Sequence, residues 1–238
     1  MRNVSNIFRR EFKSYFISPI AYIVIAVFLV VTGWLFFPTF FLMRQANLNQ
    51  FFTLLPVTFA FIIPAVTMRL FSEEINVGSY EMLLTMPVSF KEIIVGKYLA
   101  AVAFVSIMLA PTFFYAVSIS FIGKMDWGPV LGGFLGALLL GAAFCAIGLL
   151  ASSLTRNQVI AFIVGLVTCF VLTLLVDYSL YLLPGFLSGL TGFFQYLSAS
   201  HHFQNIAKGV VDSRDILYFL SVSFVALYGT ALIMQEKK

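Results

Sequence analysis

The chain has 238 residues, of which 61% are hydrophobic and only 10% are charged, with a formal net charge of +4. A soluble domain carries about 25% charged residues, so this composition, with a mean hydropathy of +1.01, indicates an integral membrane protein. High hydrophobicity and low charge exclude intrinsic disorder. Two cysteines are too few for a disulfide-stapled secreted domain. A self-contained ATPase is excluded because no G-x-x-x-x-G-K-[ST] loop occurs.

The N-terminal segment is predicted to form an amphipathic helix that lies in the membrane interface. Over residues 3–16, helical spacing separates a polar face from an apolar face that would lie in lipid. The polar face holds Arg2, Asn6, Arg9, Arg10 and Lys13, and the apolar face holds Val4, Ile7, Phe8, Phe12 and Tyr15. Glu11 interrupts the apolar face, and a carboxylate there needs a cation or water. Arg69 and Arg156 are candidate partners, and local exposure of Glu11 is the alternative.

A long apolar run begins at Ser18-Pro19, because proline is tolerated at a helix start. The run is too long for a secretory signal and no A-x-A site follows it, so we expect an uncleaved anchor. About 20 apolar residues cross the hydrocarbon core of a bilayer. Charge-free stretches therefore predict six spans, near residues 20–42, 53–71, 96–120, 130–152, 158–183 and 215–235. The expected fold is an all-α membrane protein with a single transmembrane domain, residues 1–238.

The segment before the sixth span is apolar but broken by glycine, serine and Pro184. It is predicted to form re-entrant half-helices over residues 184–212, because irregular backbone at membrane depth is tolerated when protein surrounds it. It contains His201 and His202. Two adjacent imidazoles can bind a metal, but no third ligand lies at a suitable spacing, so no metal site is expected. Loop capping or solvent exposure is the interpretation favoured for both histidines.

The distribution of basic residues predicts the topology. With six spans both termini lie on one side, and ten of the 14 basic residues fall on that side. By the positive-inside rule, both termini are expected in the cytoplasm. The basic charge is therefore a topology signal, and no nucleic-acid partner is expected.

The loop between the second and third spans, residues 72–95, is the most informative segment. Ser72 is predicted to cap a short coupling helix with Glu73 and Glu74 in its first turn, and Gly78 permits a reversal. A second turn is predicted from Ser79 to Pro87. It holds Tyr80, the carboxylate of Glu81, and an apolar tip of Met82, Leu83 and Leu84. Ser89 and Glu92 form a capping box that opens the third span. An apolar tip in water indicates a cytoplasmic protein partner.

This loop resembles that of type-2 ABC exporter permeases, whose pattern reads broadly E-x-x-x-G-T-x-E-x-L-L-x-x-P-V-S-x-x-E-x-x-x-G-K. Ser79 stands where that family often has threonine, and Gly96-Lys97 ends the motif. The N-terminal residues 9–19, including Glu11, and the outer residues 196–215 are also similar to the family. The chain looks nearest to the permeases of gliding-motility and nitrous-oxide-reductase-maturation exporters.

The resemblance implies an exporter permease subunit without catalytic residues, metal or cofactor of its own. Two permease chains, identical or homologous, would associate through spans one and five and work by alternating access. Two copies of a separate ABC ATPase would bind ATP and Mg, and an auxiliary membrane or periplasmic subunit is a further possible partner. The ATPase contact would comprise a coupling set and an interfacial set. The coupling set is Glu73, Glu74, Gly78, Ser79, Tyr80, Glu81, Met82, Leu83, Leu84 and Pro87. The interfacial set is Phe8, Arg9, Arg10, Glu11, Phe12 and Lys13.

Other functions remain as alternatives. The chain could anchor an ATPase-driven machine, such as a gliding or envelope apparatus, without transporting a cargo. A lipid-modifying enzyme is disfavoured because no His, Ser and Asp cluster falls at one membrane depth. An ion-driven carrier is disfavoured because the predicted spans contain almost no ionisable group except Asp177, near the outer end of span five. The Gly132-x-x-x-Gly136 pattern predicts close helix packing, within the chain rather than at a dimer seam.

Overall fold

The computed structural model describes residues 2–43, 47–78, 89–121, 123, 125–175 and 196–236. This part of the chain is helical and has no β-strand. The α-helices are α1 (Arg2–Ile17), α2 (Pro19–Met43), α3 (Asn49–Thr67), α4 (Arg69–Val77), α5 (Phe90–Leu109), α6 (Phe113–Ser120), α7 (Trp127–Leu154), α8 (Gln158–Phe170), α9 (Ala199–Ala207) and α10 (Ser213–Glu236). A 3₁₀ turn (Ala110–Thr112) joins α5 to α6 at Pro111, and a π-helical turn (Val171–Leu175) extends α8.

Among the described residues, five helical stretches are long and apolar enough to cross a membrane: Pro19–Pro38, Asn49–Val77, Phe90–Ser120, Trp127–Leu154 and Ser213–Glu236. They coincide with five of the six predicted spans. The fifth predicted span begins at Gln158 as an apolar helix, but its continuation and the first half of the re-entrant segment, including Asp177, lie outside the described residues. The count of six spans therefore stays a prediction.

The fourth predicted span, α7, forms the centre of the helical bundle. About two thirds of it (67%) is buried, against 28% of α2 and 22% of α10. Small residues explain this position, because they let neighbouring helices approach closely. A Cβ added to Gly133 would lie 2.3 Å from the Phe52 ring, and one added to Gly148 would lie 1.9 Å from Thr67 Oγ1.

The outer helix α9 packs on the same central helix. A Cβ on Gly132 would lie 2.4 Å from the carbonyl oxygen of Ile206, and one on Gly136 would lie 3.2 Å from atoms of Phe203 and Ile206. Both glycines of the small-residue pattern therefore face α9. The prediction that this pattern packs within the chain is confirmed.

Candidate functional site

Three helices meet around the buried side chain of Lys97, at the end of the bundle that is predicted to be cytoplasmic. Lys97 lies in α5 and is only 1% exposed. Its Nζ lies 3.2 Å from Glu11 Oε1 of α1 and 2.8 Å from Glu74 Oε1 of α4, and it donates to the carbonyl oxygen of Leu70 at 2.9 Å. One ammonium thus joins the N-terminal helix, the coupling helix and the third span.

Arg10 completes this group, which we call the Lys97 cluster: Arg10, Glu11, Glu74 and Lys97. The Arg10 guanidinium lies 2.8 Å from Glu11 Oε1 and 3.6 Å from Glu74 Oε1. Two cations thus face two carboxylates, and the cluster is formally neutral. Burial raises the pKa of the Glu11 carboxyl, but Lys97 and Arg10 outweigh burial and hold that pKa below its ordinary value.

The N-terminal helix reaches this cluster because Gly96 precedes Lys97. A Cβ on Gly96 would lie 2.7 Å from Ile7 Cγ2, so the missing side chain lets α1 lie directly on α5. About two turns of helix further along, the Tyr15 ring stacks on Phe104, with ring centroids 5.0 Å apart. Tyr15 is buried at 3% exposure. The predicted N-terminal helix is present as α1, and part of its apolar face packs on protein. Its place in the membrane interface stays a prediction.

The partner expected for Glu11 was wrong. Lys97 and Arg10 bind Glu11, whereas Arg69 lies over the Tyr15 ring, 5.1 Å from its centroid, and Arg156 is exposed between α7 and α8. From the sequence, Lys97 is interpreted as a basic residue that flanks a span, so it was not predicted as a partner of Glu11. The Gly96-Lys97 pair in the motif could have indicated this partner, since a lysine inside a membrane-proximal helix needs acidic partners.

Ser152 of α7 binds the junction of α3 and α4, where α3 ends at Thr67 and α4 begins at Arg69. Ser152 Oγ accepts hydrogen bonds from the backbone N–H groups of Phe71 and Ser72 at 2.9 and 3.0 Å, and donates to the carbonyl oxygen of Met68 at 2.7 Å. One hydroxyl therefore connects this junction to the central helix of the bundle.

The predicted role of Ser72 was wrong. Ser72 does not cap the coupling helix, because α4 already begins at Arg69 and Ser72 lies buried within it. Its hydroxyl donates to the carbonyl oxygen of Met68, one turn earlier. Ser72 faces α7, so its polar atoms are used inside the bundle.

Replacing Ser152 by alanine is expected to destabilise the chain by about 2 kcal/mol, because two buried N–H groups lose their acceptor. The apparent melting temperature in detergent should fall by roughly 5 °C. Ser106→Ala is the matched control, since the Ser106 hydroxyl only donates to Val102 in its own helix, at 2.8 Å. Equal melting temperatures for the two variants would contradict the role given to Ser152.

The ends of the coupling loop agree with the sequence prediction. Gly78 ends α4 in a left-handed conformation, with φ of 76°. Glu92 N–H donates to Ser89 Oγ at 3.3 Å, and Ser89 N–H donates to Glu92 Oε2 at 2.9 Å, so the predicted capping box opens α5. The tip of the loop lies outside the described residues, and with it Ser79, Tyr80, Glu81, Met82, Leu83, Leu84 and Pro87.

The remaining predicted contact residues lie around the Lys97 cluster. Glu73 is exposed on α4, next to the half-buried Glu74. On α1, Arg9, Arg10 and Lys13 are exposed, whereas Phe8 and Phe12 are half-buried and their rings stack 5.6 Å apart. The exposed cations of α1 and the exposed carboxylate of α4 offer a mixed-charge surface beside the loop.

The interpretation of His202 as exposed or as a loop cap was also wrong. His202 is 4% exposed, and its Nδ1 lies 2.6 Å from Asp215 Oδ1 of α10. Its Nε2 lies 3.1 Å from the carbonyl oxygen of Tyr196. His201 is exposed beside it. Within the part of the chain that the structure describes, no group of three His, Cys, Asp or Glu side chains is placed to hold a metal.

Comparison with known proteins agrees with this architecture. The family described as "ABC-2 family transporter protein" matches residues 5–235, almost the entire chain. No curated protein matches at a significant level. The match spans the interfacial helix, the coupling helix and the membrane helices together. The chain therefore belongs to the ABC-2 transporter family and is a multi-pass permease subunit of an ABC transporter.

Proposed function

We propose that the chain is the permease of an ATP-driven exporter, which works as a dimer with two separate ATPase subunits by alternating access. The observation that carries the proposal is the Lys97 cluster. It joins the two elements expected to contact the ATPase, α1 and α4, to the start of the third span. A surface built only for docking would not need a buried connection to the spans.

The connections of α4 support a path for the motion. Lys97 binds α4 to α5, and Ser152 binds the junction of α3 and α4 to α7. A displacement of the coupling helix would therefore act on the second, third and fourth spans together. ATP can drive such a motion only if the closed ATPase pair binds one permease conformation more tightly than the other.

The surface of the bundle supports the proposed dimer. The first span, α2, and the helix α8 each leave a row of apolar side chains exposed on the surface of the chain. The exposed side chains include Ile20, Ile23, Val27, Val30 and Trp34 on α2, and Val159, Ile160, Ile163 and Val167 on α8. A second permease chain seated on these faces would bury them, as expected for association through spans one and five.

The test is co-expression with the neighbouring genes, mild extraction and identification of what copurifies with the tagged chain. The proposal expects a soluble P-loop ATPase at one copy per permease. Reconstituted vesicles then separate export from anchoring. ATP-dependent transfer of a cargo across the vesicle membrane supports export. ATP hydrolysis without net transfer of any candidate cargo supports the anchor. Copurification of no ATPase would contradict both.

Glu81→Lys or Leu83→Asp is expected to abolish assembly with the ATPase and leave membrane insertion intact. The first change reverses a charge and the second places a carboxylate in the apolar tip, where a partner would have to bury it. Glu236→Lys, an equal charge reversal at an exposed position on α10, is the control. If both loop variants copurify with the ATPase as well as the control does, the coupling-loop assignment is wrong.

A further inference from the structure

A cavity with polar walls lies at the opposite end of the bundle from the Lys97 cluster. Its volume is about 400 Å³, within the range of small-molecule sites. It opens between the outer helix α9 and the start of α10. Its polar walls come from His201, Asn205, Lys208, Asp212 and Arg214.

The carboxylates at this cavity already have partners. Asp215 binds His202 at 2.6 Å, and Asp212 accepts from the backbone N–H of Arg214 at 3.0 Å, capping the start of α10. The Asp215 carboxylate is therefore occupied by the His202 ring, and the Asp212 carboxylate by the start of α10.

The cations at the cavity do not have such partners. Neither Lys208 nor Arg214 forms an ion pair with any carboxylate of the described residues. Two cations without a carboxylate partner among the described residues therefore line the cavity, whereas its carboxylates are already occupied. An anionic group would complement these cations, and a guanidinium together with an ammonium suits phosphate oxygens.

The length of α7 places the cavity at headgroup depth. The helix has 28 residues and is therefore roughly 40 Å long, which matches a bilayer including both headgroup layers. Near the C-terminal end of α7, Ser152 binds Met68, close to the Lys97 cluster. At the N-terminal end of α7, Gly128 lies against Gly209, the residue after Lys208. The exposed Tyr196 and Val210 line the cavity, and Trp127 is exposed nearby, as is usual at a membrane interface.

We propose that this cavity binds the phosphate of a phospholipid headgroup in the outer leaflet, with Lys208 and Arg214 as its ligands. The lipid phosphate bears the charge that the cavity lacks, and the apolar rim of Tyr196 and Val210 lies beside the acyl chains. The His202–Asp215 pair holds α9 and α10 at the spacing that keeps the cavity open. This site is independent of the ATPase contact and of the cargo.

The test is native mass spectrometry of the full chain, delipidated in detergent and titrated with phosphatidylglycerol or phosphatidylethanolamine of identical acyl chains. Lys208→Gln/Arg214→Gln should weaken the tightest lipid-binding event roughly tenfold. Lys208→Arg/Arg214→Lys keeps both charges and should bind as the unaltered chain does. Arg44→Gln/Lys124→Gln removes two charges from the same predicted side and is the matched control.

Three results would overturn the proposal. The first is unchanged lipid binding by Lys208→Gln/Arg214→Gln. The second is an equal loss in the control, which would indicate attraction to general surface charge. The third is displacement of the lipid by inorganic phosphate at equimolar concentration, which would assign the cavity to free phosphate. Weaker binding in Lys208→Gln/Arg214→Gln alone, with no effect of inorganic phosphate, supports the lipid assignment.

Discussion

Replacing Lys97 by methionine is expected to lower the stability of the chain by about 3–5 kcal/mol and to release the N-terminal helix. The change keeps most of the side-chain volume but removes the ammonium that holds Glu11 and Glu74 at 3.2 and 2.8 Å. Removing one member of a buried ion pair is strongly destabilising, because the other charge stays buried without a partner. The apparent melting temperature in detergent should fall by roughly 10 °C, and amide hydrogen exchange in α1 should rise.

Two variants make this prediction specific. Lys91→Met removes an exposed lysine one and a half turns before Lys97 and should have little effect. Adding Glu11→Gln and Glu74→Gln to Lys97→Met removes the stranded charges and should recover part of the stability. Equal melting temperatures of Lys97→Met and Lys91→Met would show that the Lys97 cluster does not hold the three helices together. A further loss of stability on adding Glu11→Gln and Glu74→Gln would show the same.

The pH dependence gives an independent signature. In the unaltered chain the pKa of Glu11 lies below its ordinary value of 4.5. Its contribution to stability is therefore fully present above that value and is lost as the pH falls through the folded-state pKa. In Lys97→Met burial dominates, so the pKa of Glu11 rises and protonation stabilises the folded chain. The difference in melting temperature between the two proteins should narrow as the pH falls from 7 to about 5.

Replacing His202 by leucine is expected to detach the outer helix from the sixth span, at a cost of about 3 kcal/mol. The Asp215 carboxylate, 4% exposed, would lose the ring nitrogen at 2.6 Å. The stacking of the His202 ring on Tyr218, with centroids 4.2 Å apart, would also be lost. The melting temperature should fall by roughly 8 °C, and proteolysis between α9 and α10 should become faster.

The neighbouring histidine provides the control. His201→Leu changes an exposed imidazole and should leave both measurements nearly unchanged. His202→Leu/Asp215→Leu replaces both partners by apolar groups and should be more stable than His202→Leu alone, because no buried carboxylate is left without a partner. Equal stability of His201→Leu and His202→Leu would show that the buried pair contributes nothing to the outer segment.

Local patterns in the sequence were enough for much of the fold. Ser18-Pro19 marks the boundary of two helices, Gly78 ends the coupling helix, and Ser89 with Glu92 caps the third span, each as expected. These features depend on hydrogen bonds and backbone angles within one turn of helix, so the residues concerned are neighbours in the chain. The amphipathic helix and five of the spans follow in the same way from helical periodicity and apolar length.

The interior of the candidate site could not be predicted by such rules. Lys97 and Glu11 are 86 residues apart, Ser152 and Met68 are 84 apart, and no periodicity relates either pair. Reasoning from the sequence paired Glu11 with Arg69 or Arg156, because a cation at the cytoplasmic end of a span was all that could be specified. Which cation it meets depends on the rotation of each helix about its own axis.

The sequence by itself therefore determined the class of protein, the helical elements, the amphipathic N-terminus and the resemblance to ABC-2 permeases, since composition and short-range spacing carry that information. Only the tertiary structure decided that Lys97 joins three helices, that Ser152 binds the junction of α3 and α4, and that His202 binds Asp215. The physical reason is that a buried polar side chain must pair with a complementary group that the packed helices bring within about 3 Å. Small residues such as Gly96 and Gly148 determine how closely the helices approach one another.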